Sequence, residues 1–132
     1  MHFSKKFKGA LRESNSHLVV GLDSDITKIP EFLKTEVNPI AAFNNLVVEA
    51  TKEFACGYKL NIAFYERDAE RGFAAIRSTL AAIPEHLITI ADAKRGDIEN
   101  TTELYAQAFL DELNFDSITV QPYMGQDSAR PF

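Results

Sequence analysis

The run "HLITIADAKRGDIENT", His86 to Thr101, decides the architecture. It is apolar at first, and then Asp92, Lys94, Arg95 and Asp97 follow within six residues. Such a run reads as a buried strand that turns charged at its C-terminal end. Side chains two apart on a strand share a face, so Ile88, Ile90, Asp92 and Lys94 lie together and Arg95 has the other parity. Three more apolar runs take the same form: "HLVVGLD" (17–23), "CGYKLNI" (56–62) and "DSITVQP" (116–122). Their parity groups Gly21 with Asp23, Lys59 with Asn61, and Thr119 with Gln121. The opposite parity is mostly apolar (Leu18, Val20 and Leu22; Tyr58, Leu60 and Ile62; Ile118 and Val120) and is expected to pack against helices.

The polar residues closing these runs, Asp23, Asn61, Asp92 and Gln121, are 38, 31 and 29 residues apart. A strand–helix–strand unit takes roughly 30 or more residues, so each interval holds one helix. In the first, Asn38 is placed to cap and Pro39 to occupy the first turn. Phe43, Leu46, Val47, Ala50 and Phe54 form its expected apolar stripe. The second interval sets Ala69, Phe73, Ile76 and Leu80 on one face and ends before Pro84. The third sets Ile98, Tyr105, Phe109 and Leu113 on one face. Strands alternating with amphipathic helices indicate an α/β fold with a parallel sheet and right-handed crossovers. Polar residues at the C-terminal ends of successive strands mark the place where a (β/α) barrel builds its site, as does the crevice of an open doubly wound sheet.

The 132 residues suffice for one domain and not for two of typical size. Net charge is −5 with acids and bases interspersed, which disfavours nucleic acid as a partner. Cys56 is the only cysteine, so no intrachain disulfide can form, as suits a cytoplasmic protein. The opening "MHFSKKFKGALRES" lacks a signal-peptide core. Its Phe3, Phe7, Ala10 and Leu11 fall at helical spacing, so residues 1–16 are expected to form a leading helix that covers one end of the fold. No apolar run approaches the ~20 residues that span a bilayer, and the expectation is a soluble protein without a membrane partner.

Asp23, Lys59, Asp92 and Lys94 should therefore converge at one end of the sheet. Asp97 stands where the next helix begins, and Thr101, four residues on, would share its helical edge. Alternating two carboxylates with two ammonium groups lets all four stay ionised, at a desolvation cost that stability alone struggles to recover. A single charge here would be ordinary, and Asp97 alone could simply serve the helix dipole. The set at matching parity reads instead as a site. Arg95 reads as solvated or helix-pairing. There is no zinc pattern, and His2, His17 and His86 read as surface residues. "VGLDSD" is not a phosphate-cradling loop. Asp92 with Asp23 or Asp97 could hold Mg²⁺, but Lys59 and Lys94 would compete with it. A lysine held among carboxylates is suited to stabilising and protonating a developing carbanion.

At these residues the sequence resembles the orotidine 5'-monophosphate decarboxylases, in particular their longer bacterial branch. "ADAKRGDIENT" matches the Asp-x-Lys-x-x-Asp-Ile-x-x-Thr signature of that family. "VGLDSD", "GYKLNIAFYE" and "TVQPYMGQDSARPF" resemble its first, second and fourth strands with their loops. The resemblance implies a (β/α)₈ TIM barrel and conversion of orotidine 5'-monophosphate to uridine 5'-monophosphate and CO₂, with no metal and no cofactor. It implies that Asp23 and Lys59 contact the ribose hydroxyls and that Asp92 faces the substrate carboxylate. Lys94 would protonate C6. Asp97 and Thr101, with Ile98 beside them, would reach the site of the other subunit of a homodimer.

A full barrel runs ~250 residues. Residues 17–132 are thus expected to supply about the first four β/α units of one domain, the charged half of the site without its phosphate-binding half. Alone, the 132-residue chain is expected to be inactive or weakly active. Two alternatives are an Mg²⁺-dependent sugar-phosphate decarboxylase or aldolase of the same superfamily, and a non-catalytic half-barrel.

Overall fold

Four strands alternate with five helices in the computed structural model, which describes residues 3–132. His2 lies outside the described residues. The strands are β1 (Val19–Gly21), β2 (Gly57–Asn61), β3 (Ile88–Arg95) and β4 (Ser117–Val120), all parallel and ordered as in the sequence. The helices are α1 (Phe3–Ser14), α2 (Pro39–Thr51), α3 (Ile62–Glu66), α4 (Ala69–Ala82) and α5 (Glu99–Ala106), which runs on as a π-helical segment, Gln107–Glu112. Sequential parallel strands with a helix in each crossover are the repeating pattern of a (β/α)₈ barrel, present here as four strands joined by three helical crossovers.

The two faces of the sheet separate as strand parity requires. Leu22, Tyr58, Leu60, Ile62, Ala91 and Ala93 are buried in one cluster against the helices, with Val20 and Ile118 packed at its margin. Leu18 departs from the expectation: it precedes β1 and is half exposed. On the other face, Ile88 meets Cys56 and Ala10 in a small separate cluster. That contact seats α1 across the N-terminal end of the sheet. Lys6 fastens it there, its Nζ lying 2.7 Å from both carboxylate oxygens of Asp116, which also accepts the Thr89 N–H and hydroxyl. Of the expected stripe, Ala10 is buried and Leu11 packs beside it, whereas Phe3 and Phe7 are exposed and stack on each other.

The helices form where expected but are rotated about their axes. Asn38 caps α2, its side chain accepting the Ala41 N–H at 3.1 Å, and Pro39 is the first helical residue. Yet the buried face is Ile40, Ala41, Asn44 and Val48, with Phe43 and Val47 on its shoulder. Leu46, Ala50 and Phe54, expected inside, face outward. The stripe is displaced because a polar residue, Asn44, holds the most buried position. In α4 the buried residues are Gly72, Ala75, Ile76 and Thr79, so Ile76 meets the expectation whereas Ala69 and Phe73 are exposed. Gly72 explains that rotation, since a Cβ there would run into the Tyr65 carbonyl at the end of α3. On the third helical run Phe109 and Leu113 are buried, and Ile98 lies outside the packed face.

Candidate active site

The site begins with an irregularity in β3. Ala91 pairs with Ile118 and Arg95 with Val120, so four steps along β3 match two along β4. The excess of two residues bulges out Asp92, Ala93 and Lys94, a device that re-aims side chains at sheet margins. Lys94 takes a left-handed backbone, φ +50°, which is strained for a residue with a long side chain. Its main-chain N–H donates to the Thr119 hydroxyl of β4 at 3.0 Å.

Around this bulge the four expected residues join in a line. Lys59 Nζ lies 3.6 Å from Asp23 Oδ1 and 3.2 Å from Asp92 Oδ2. Lys94 Nζ donates to Asp92 Oδ1 at 2.7 Å, and the Thr119 hydroxyl donates to the same oxygen at 2.9 Å. Asp92 is the sheltered centre, its side chain 15% exposed against 63% for Lys94. The Lys94 ammonium, with help from Thr119 and Lys59, outweighs partial burial and lowers the Asp92 pKa to about 2. The Asp92 carboxylate thus stays charged at neutral pH, with the Lys94 head at the open end of the line.

A second network holds the end of β1. The Tyr65 hydroxyl donates to the Leu22 carbonyl at 2.7 Å, immediately before Asp23. Asn44, fully buried, donates to Tyr65 Oη and Thr79 Oγ1, both at 2.9 Å, and accepts from the Ser24 hydroxyl. Burial raises the Tyr65 pKa, so its proton stays on the hydroxyl and the bond to Leu22 persists. Asp23 is thereby flanked by two tethered residues.

The remaining candidates stand apart from this line. Asp97 does not lie in the helix: α5 opens after Ile98, whose backbone is extended. The expected shared edge of Asp97 and Thr101 therefore does not form, and Thr102 instead donates its hydroxyl to the Asp97 carbonyl at 2.9 Å. The Asp97 carboxylate accepts the Ile98 N–H at 2.7 Å. Among the described residues it makes no ion pair with Lys59 or Lys94. Ile98 is 59% exposed and Thr101 half-buried. Arg95 resolves as helix-pairing, not solvated. It bonds Glu66 at the end of α3 and lies over the rings of Tyr105 and Phe109, at 5.0 and 5.2 Å.

Thr119, Asn44 and Tyr65 are the residues that sequence reading did not assign to the site. Parity had placed Thr119 on the correct face, and that was the available signal. Nothing local marks Asn44 or Tyr65, whose roles depend on contacts 20 and 21 residues away in sequence. His17 and His86 are exposed, as expected. Among the described residues no three His, Cys, Asp or Glu side chains gather as a metal site, and no helix is long and apolar enough to cross a membrane. An open cleft lies at the opposite end of the sheet, lined by Lys6, Glu13, Glu85, His86 and Asp116, and has no part in the line of charges.

Known proteins carry the same frame. The chain is 45% identical over 130 residues to an orotidine 5'-phosphate decarboxylase from Herpetosiphon aurantiacus, covering 98% of this chain and 49% of that protein. It is 48% identical over 132 residues to the enzyme of that name from Dehalococcoides mccartyi, covering 100% and 47%. The structure of Leishmania donovani OMP decarboxylase superposes with a TM-score of 0.85 at 33% identity, over 100% of this chain and 49% of that one. The chain thus spans about half the length of the curated relatives it matches, in keeping with the N-terminal half of their barrel. A family profile described as orotidine 5'-phosphate decarboxylase / HUMPS matches residues 16–132, where every strand and every residue of the charged line falls, and to that family the chain belongs.

Proposed function

We propose that these residues supply the charged half of the active site of an orotidine 5'-monophosphate decarboxylase, acting in the cytoplasm within a completed barrel. The observation that carries the reading is the unbroken line Asp23–Lys59–Asp92–Lys94 at the C-terminal strand ends, with an ammonium at its open end. Asp23 and Lys59 bind the ribose hydroxyls. Asp92, ionised, faces the substrate carboxylate and disfavours the bound ground state relative to the carbanion. As the C6–carboxylate bond breaks, CO₂ departs and the electron pair stays on C6. Lys94 stabilises that charge, gives C6 its proton and regains one from solvent. No metal or cofactor enters, because the position a divalent cation would need between Asp23 and Asp92 holds the Lys59 ammonium.

The exposed Ile98 and the unpaired-by-lysine carboxylate of Asp97 favour their service, with Thr101, to a second subunit of a homodimer. In domain terms, residues 17–132 supply the first four β/α units, and α1 (Phe3–Ser14) is the leading helix ahead of them.

The test is the loss of orotidylate absorbance catalysed by the full protein, with and without chelator. Lys94→Ala is expected to lower kcat by at least about 10³-fold while the fold persists by circular dichroism. Turnover undiminished in that variant would refute the mechanism. Inhibition by chelator would favour the Mg²⁺-dependent sugar-phosphate alternative.

A further inference from the structure

We infer that Thr119 is a positioning residue for the reaction proposed above, its hydroxyl joining the Lys94 main-chain N–H to the Asp92 carboxylate from the neighbouring strand. A threonine hydroxyl has one proton to give and two lone pairs to offer. Here the proton goes to Asp92 Oδ1 at 2.9 Å and one lone pair takes the Lys94 N–H at 3.0 Å. The two bonds meet at the bulge, where the pairing of β3 with β4 skips from Ala91 to Arg95. The Lys94 N–H sits inside that skipped stretch, so the regular ladder does not provide its acceptor. Thr119 does.

The consequence is that one atom fixes both groups. Asp92 Oδ1 receives the Thr119 hydroxyl and the Lys94 ammonium, while Oδ2 receives Lys59, so the carboxylate plane is set from three sides. The left-handed backbone of Lys94 is an unfavourable conformation that persists only where its surroundings hold it. Its N–H bond to Thr119 is such a restraint, and it sets the direction in which the side chain leaves the strand. Without the hydroxyl, Asp92 loses one donor and Lys94 loses the tether of its turn. Both reactive side chains would then sample more orientations, and misplacement of about 1 Å costs on the order of 10²-fold in rate.

Two variants of the full protein separate this role from packing. Thr119→Val keeps the branched shape and removes the hydroxyl, and Thr119→Ser keeps the hydroxyl and removes the methyl. The valine variant is expected to lower kcat about tenfold to hundredfold with KM within about threefold of the parent value, and the serine variant to recover most of that loss. Amide hydrogen exchange at Lys94, followed by NMR without substrate, is expected to accelerate in the valine variant and not in the serine variant. A valine variant with unchanged kcat, an equal loss in both variants, or unchanged exchange at Lys94 would overturn the inference. If the parent protein does not turn over orotidylate at all, the decarboxylase reading fails. The exchange measurement still decides whether Thr119 holds the Lys94 turn.

Discussion

Asp92 shows at the scale of one residue how the fold keeps a charge in place. Its pKa is lowered from 3.8 to about 2, first by the Lys94 ammonium and then by Thr119 and Lys59, against the opposing effect of burial. A carboxylate with a depressed folded-state pKa stabilises the protein above its unfolded value, and that stabilisation disappears as pH falls through the folded value. The window here is from about pH 4 down to about pH 2. The shift corresponds to roughly 2–3 kcal/mol before screening, and to nearer 1 kcal/mol once solvent screening of the exposed Lys94 head is allowed for. Asp92→Asn is therefore expected to be less stable than the parent protein at pH 7, with the two converging below about pH 4. Urea denaturation across that range measures it, and a gap that stayed constant or widened in acid would contradict the assignment. Asp23, Lys59, Asp92 and Lys94 were all legible from strand parity, because the bulge adds two residues and an even excess preserves alternation. The left-handed turn at Lys94 was not legible, since nothing in a two-residue period announces a bulge.

Helix α2 shows at the scale of an element where hydrophobic patterning stops being informative. Counting apolar residues finds the helix and its cap but turns the wrong stripe inward, because the count treats Asn44 as a surface residue. The structure buries it completely and satisfies it through Ser24, Tyr65 and Thr79. An apolar residue there would take the acceptor from Ser24, the donor from Thr79 and one of the two partners of Tyr65, and a buried polar group without a partner costs more than an ordinary contact gains. Asn44→Ala is accordingly expected to cost about 2–4 kcal/mol in unfolding free energy. Its neighbour Asn45 is half-buried, its carbonyl oxygen has no partner, and it donates only a long bond of 3.4 Å to Ser78. Asn45→Ala should cost less than about 1 kcal/mol. Equal costs for the two would mean that the network does not bear on stability. Since Tyr65 fixes the Leu22 carbonyl beside Asp23, the Asn44 variant should also weaken substrate binding more than its stability alone explains.

Across the whole molecule, the charges that the strands bring together remain open to water. Among the described residues β1 and β4 each have a strand neighbour on one side only, and Leu18 and Val19 are 50% and 38% exposed. Unpaired strand edges beside apolar surface favour association between copies. The line of charges is likewise exposed at Lys94, where water screens the field that a carbanion would need. In the proposed reaction much of the driving energy comes from binding the remote phosphate, and the resemblance places those contacts on later strands of the barrel. A polypeptide of these 132 residues, prepared by itself, is therefore expected to self-associate as its concentration rises. Its orotidylate turnover should fall at least about 10³-fold below that of a completed barrel. Sedimentation velocity over a concentration series and the absorbance assay on the same samples test both points. A monodisperse monomer with turnover matching the completed barrel would show that the charged half suffices for the chemistry, and the dependence on phosphate binding would have to be abandoned.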